Sequence, residues 1–174
     1  NARSLGGVLR WGDFDYVLAG DLTGTGEGDD PDLESFVAGL GEGIAEEPGG
    51  PPVLPDGDAD AIHLSHHAMG SSTNQAWVDW LMPADGSSRN ATAGIGGTYY
   101  NAPDQDVLDR VCDRVGGGYA WITTPGLLPG SHERERIAGG GVVVRAAEGG
   151  ASYEVFAWTG GAEALVEAYA STAP

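Results

Sequence analysis

Lysine is absent from these 174 residues, so arginine supplies all eight basic side chains against 26 acidic ones. The formal charge of −18 repels a phosphodiester backbone within a Debye length, about 10 Å at 0.1 M salt. Broad nucleic-acid binding by this chain alone is therefore not expected. Cys112 is the only cysteine, which excludes an internal disulfide and a thiolate metal cluster. No apolar run reaches the roughly 18 residues of a membrane-spanning helix. No basic stretch precedes the first apolar run, and any leader peptide is expected to lie outside these residues. No dinucleotide-binding or P-loop glycine pattern occurs, and no internal repeat.

A core is nevertheless affordable. The hydrophobic fraction is 41%, and five tryptophans supply bulky packing. The length fits one domain spanning 1–174. The acidity fits a secreted or extracytoplasmic, salt-exposed protein or one that supports cations, and equally a GC-rich codon usage.

Three of the four histidines fall in one stretch, Asp60-Ala61-Ile62-His63-Leu64-Ser65-His66-His67-Ala68-Met69-Gly70-Ser71-Ser72-Thr73. The alternation through Leu64 predicts a half-buried strand that delivers two adjacent imidazoles into a loop of small residues. Neutral imidazole is the commonest protein ligand for zinc, and a strand end holds it rigidly. The same pair also reads as ordinary polar residues at a strand end.

Upstream, residues 5–20 read as a β-hairpin turning at Gly12-Asp13 and ending in Gly20-Asp21. Asp21 either presents a carboxylate or simply forms a turn. The acidic loop over 24–31 lacks the alternate-oxygen spacing of an EF-hand, and calcium is not expected there. A helix opening at Asp30 or Pro31 carries Leu33, Phe36, Val37, Leu40 and Ile44 on one face. A surface loop rich in Pro and Gly follows over 46–57.

Residues 74–81 read as a helix with Ser72, Thr73 or Asn74 as its cap, stopped by Met82-Pro83. A strand over 91–95 precedes a helix capped by Asp104, with Val107, Leu108, Val111 and Val115 inward and Cys112 an inert part of that side. A strand at 119–124 follows, then a polar loop containing His132, a hairpin of 142–144 with 153–158, and a closing helix from Ala162 to about Ser171. Asn90-Ala91-Thr92 matches a glycosylation sequon, a pattern too common to carry weight. The order predicts a layered α/β fold, a mixed sheet with flanking helices.

Three pieces in sequence resemble one family. Leu18-Ala19-Gly20-Asp21-Leu22, then His66-His67-Ala68-Met69-Gly70-Ser71, then Gly97-Thr98-Tyr99-Tyr100-Asn101-Ala102-Pro103 look like the C-terminal half of a metallo-β-lactamase-fold hydrolase. The likeness is to the extracytoplasmic domain of competence DNA-uptake proteins, and it covers roughly residues 1–126. The opening Asn1-Ala2-Arg3-Ser4-Leu5 matches the start of that family's central hairpin. The resemblance implies the C-terminal half of a four-layer αββα sandwich and a dinuclear centre, with two zinc or manganese ions. Asp21 would bridge the metals, His66 would ligate the second and His67 would act in catalysis, with Ser71, Tyr100 and Asn101 contacting substrate. A metal-bridging hydroxide would then attack a phosphodiester or related ester.

Two departures stand out. The family's compact His-His-Gly-Ser loop is stretched here by Ala68 and Met69, and the His of its Tyr-Gly-His-Pro turn is Ala102. The principal ligand motif, HxHxDH, does not occur. Asp21 and His66 alone fall short of the three protein ligands zinc normally takes. The expectation is a second polypeptide carrying the N-terminal half and that motif. A lactonase or other carboxyl-ester hydrolase on the same fold, and a degenerate non-catalytic binding module, are the competing readings.

Overall fold

The computed structural model of the protein describes residues 4–26, 31–40, 57–94, 102–123, 132–159 and 161–172. Strands β1 (Gly7–Trp11) and β2 (Phe14–Leu18) form the expected hairpin, with Trp11 opposite Phe14 across Gly12-Asp13. Gly12 takes the positive φ, +60°, that this two-residue connection needs. Four further strands continue the sheet in order and in parallel with β2. They are β3 (Ala61–His63), β4 (Asn90–Ala93), β5 (Ala120–Ile122) and β6 (Glu135–Ile137).

Parallel neighbours need crossovers, and helices α1 (Leu33–Leu40), α2 (Gln75–Leu81) and α3 (Gln105–Cys112) lie in them. Asn74 caps α2 by accepting the Trp77 N–H, and Asp104 caps α3 by accepting the Asp106 N–H, as their sequence positions predict. The cap of α1 is Asp32, which accepts the Ser35 N–H at 2.9 Å, rather than Asp30 or Pro31. Helices α2 and α3 bury their apolar sides on one face of the sheet, against Val17, Ile62, Leu64, Ala91, Ala93 and Ile122. Helix α1 packs there through Leu33 and Val37, while Phe36 and Leu40, expected on the buried side, are exposed. Cys112 lies in this core, where burial pushes its thiol up to about 12.

The opposite face carries Phe14, Tyr16, Ala61, His63, Thr92 and Trp121, as the period of two requires. A second, antiparallel sheet covers much of it: β7 (Gly141–Ala146), β8 (Ser152–Thr159) and β9 (Ala162–Ala170). Tyr153 joins the two sheets. Its hydroxyl receives Asn90 Nδ2 and donates to the Asp60 carbonyl, each at 3.0 Å.

Two elements differ from expectation. The closing segment is strand β9, not a helix. Its Ala, Glu and Leu content favours helix, but the chain enters it through Gly161 at φ +86° and runs along the open edge of β8, and Tyr169 stacks on Tyr153. The polar loop at 132–136 ends as strand β6, which pairs with β5 and buries Glu135. The fold is thus mixed α/β with parallel and antiparallel strands. Among the described residues, helices pack on one side of the sheets only. No helix among them is long and apolar enough to cross a membrane.

Candidate functional site at the rim of the parallel sheet

Strands β2 to β6 all point the same way, so their C-terminal ends form one rim, the usual place for ligands in parallel sheets. Asp21 leaves β2 at this rim and is exposed. Its backbone N–H donates to Ser4 Oγ at 2.6 Å. His63 ends β3 in register with Leu18 and Thr92, and the chain then makes a single tight turn, Ser65–Ala68.

That turn is left-handed. His66, His67 and Ala68 have φ of 46°, 57° and 59°, and Thr73 follows at 51°. Residues with a Cβ pay about 1–2 kcal/mol each for this conformation, so the surroundings must over-determine it. They do. The His66 N–H donates to the Gly20 carbonyl at 2.8 Å, tying the turn to the Asp21 loop. The Asp104 N–H donates to the Ala68 carbonyl at 2.8 Å, tying it to the start of α3. Ser72 Oγ donates to the Ser65 and Met69 carbonyls, and Glu34 of α1 takes the N–H groups of Thr73 and Asn74, each at 2.7 Å.

His66 and His67 are half-buried, with ring centroids 6.4 Å apart. His67 Nδ1 lies 2.9 Å from the Gly94 carbonyl, which accepts its hydrogen and leaves Nε2 outside that bond. His63 faces away from the helices. Burial and the charge of nearby His67 hold its imidazole below the ordinary range, while Asp21 pulls the other way.

Of the residues singled out in the sequence, Asp21, His66 and His67 therefore meet at one rim. Ser71 sits beside them, half-buried, and its carbonyl accepts the Gly24 N–H at 2.8 Å. Tyr100 and Asn101 lie outside the described residues. Ala102, where the resemblance expects histidine, is buried at the start of the α3 segment. The Asn90 side chain is fully buried between the sheets, which removes the sequon as a modification site.

A zinc ion takes at least three protein ligands. Among the described residues no group of three His, Cys, Asp or Glu side chains converges to hold one. These residues by themselves do not fit a metal centre.

Sequence reasoning passed over His63 and Glu34. The alternation that buries Ile62 and Leu64 under the helices sends His63 to the other face, so its position was readable. Glu34 carried no such signal, because an acid in the first turn of a helix ordinarily serves the helix dipole.

Compared with models of protein families, with curated proteins and with solved structures, the chain has no match.

Proposed function

We propose that this rim is one half of the active site of a metal-dependent hydrolase of phosphodiesters or related esters. The observation that carries the reading is the left-handed turn at His66–Ala68, held beside the Asp21 loop by the His66–Gly20 hydrogen bond. Backbone strain in non-glycine residues is retained where the surroundings hold it, and it concentrates at functional sites. In this reading Asp21 and His66 are metal ligands. The remaining ligands come from protein outside these residues, which also completes a four-layer αββα sandwich. His67 takes a proton at Nε2 from the attacking group, since the Gly94 carbonyl occupies its Nδ1 hydrogen. Ser71, Tyr100 and Asn101 contact substrate.

The test is hydrolysis of bis(p-nitrophenyl) phosphate and p-nitrophenyl acetate by the protein purified with its companion chains. His67→Gln, which keeps the ring-sized polar group but loses the base, lowers kcat by about 100-fold or more. Full activity of that variant contradicts the assignment. Preference for the acetate selects the carboxyl-ester form of the reading.

A second reading, a non-catalytic binding module, draws on the lack of a three-ligand group among the described residues. Hydrolysis of neither substrate, with companion chains present, selects it.

A further inference from the structure

Between the two sheets lies a cavity of about 690 Å³, within the range of small-molecule sites. Its walls are apolar: Leu9 and Phe14 from the first sheet, and Val142 and Val144 from β7. Tyr16, His63 and Thr92 form a polar cluster in its lining, with His63 opposite Thr92 in register. Tyr16 Oη and Thr92 Oγ1 are 3.4 Å apart. Gly94 leaves the imidazole open to this space, since a methyl group placed there would stand 3.6 Å from His63 Nε2.

We propose that the cavity binds a small, uncharged, mainly apolar molecule whose single carbonyl or hydroxyl group meets His63, Tyr16 and Thr92. The geometry separates a greasy body from one hydrogen-bonding end, the usual division of labour in such pockets. The charge argument points the same way. Arg10, the one cationic side chain among the described residues of the lining, holds Asp15 through two contacts of 2.8 and 3.4 Å. Burial raises the Tyr16 phenol and lowers the His63 imidazole, so both are neutral at pH 7. A chain of net charge −18 adds repulsion against anions. The proposal does not depend on a metal or on hydrolysis. Where the hydrolytic reading holds, the cavity receives the non-reacting part of the ester, because His67 is bonded to the Gly94 that lines it.

The probe is prodan, a neutral naphthyl ketone without a hydrolysable bond, followed by the blue shift of its emission. Saturable one-to-one binding is expected. Val144→Trp fills the cavity and Gly94→Val covers His63; each weakens binding by about 10-fold or more, with the fold intact by circular dichroism. Gly94 is not at positive φ, and a Cβ there meets His63 Nε2 at 3.6 Å, an ordinary van der Waals contact, so this second variant stands if the first fails to fold. His63→Phe keeps the volume and loses about 5-fold, the worth of one hydrogen bond. No saturable binding, equal binding by both filling variants, or tighter binding of the anion 1-anilinonaphthalene-8-sulfonate overturns the proposal. Failure of the hydrolytic reading leaves these results unaffected.

Discussion

The carboxylate of Glu34 accepts the backbone N–H of Thr73 at 2.7 Å, from a side chain with no solvent exposure. Its other oxygen accepts the N–H of Asn74 at the same distance. One helix thereby fixes the far end of the histidine loop. It does so at the expense of the apolar stripe: Phe36 and Leu40, expected on the buried face, are exposed, while Leu33 and Val37 keep their contacts. Glu34→Ala leaves two buried N–H groups without acceptors and a void, and costs about 3 kcal/mol in chemical denaturation. Gly24→Ala acts on the same point. A methyl group there overlaps Glu34 Oε2 and crowds Asn74, so this variant is also destabilised, whereas Gly39→Ala, with open space around it, is not.

Arg89 carries a second prediction. Its side chain is fully buried and is held by Asp58 and Asp85, with the Pro83 carbonyl accepting from Nη1 at 3.1 Å. The two carboxylates are partly exposed, so the charges left behind by Arg89→Met remain screened by water. That substitution costs about 2 kcal/mol. Asp58→Ala costs more than Asp85→Ala, because Asp58 is the more buried partner of a guanidinium that cannot lose its charge. Urea midpoints of the three variants check the order.

The share of stability carried by Glu34 and Asp60 is predicted to fall as pH rises above the ordinary carboxylate value of about 4. Burial raises the carboxyl groups of Glu34 and Asp60 above their ordinary range, despite the N–H groups each accepts. Between the ordinary carboxylate value of about 4 and these raised values, the folded state binds more protons than the unfolded one. Their stabilisation is full below the ordinary value and is lost as pH rises through the folded value. Asp85 runs oppositely. Its hydrogen bonds with Arg89 hold it well below the usual range, so its contribution is lost only as pH falls below about 4. His63 also runs oppositely: burial holds it low, and its share rises with pH up to the ordinary value of about 6.5. The advantage of the wild type over Glu34→Gln in denaturation midpoint shrinks as pH rises above about 4, and an advantage that grows contradicts the assignment.

Much of this architecture was legible as pattern. The Gly12-Asp13 hairpin, the strand at Ala61–His63 and the caps at Asn74 and Asp104 are local signals, set by turn chemistry and by the period of apolar residues. The misread parts are those where distant contacts decide. Segment 162–170 has helical composition and becomes a strand because β8 offers an edge. Residues 135–137 are polar and become a strand because β5 does. At the site, Asp21, His66 and His67 were legible as a constellation, whereas the left-handed turn was not. Nothing in Ser65-His66-His67-Ala68 asks for positive φ; contacts from Gly20, Glu34 and Asp104 impose it. His63 was legible in orientation, but the cavity it faces exists only because the β7–β9 sheet folds back over it.

Asp21 and His66 are proposed to belong to a metal centre completed by protein outside these residues. The most direct measurement is the metal-to-chain ratio, with intact masses, of the protein purified from its own cells under non-denaturing conditions. About two zinc or manganese ions per assembly are expected, with loss of metal in Asp21→Ala and His66→Ala and the fold retained. A folded, monomeric chain that carries no metal, and takes up none from added zinc when other chains are present, contradicts it.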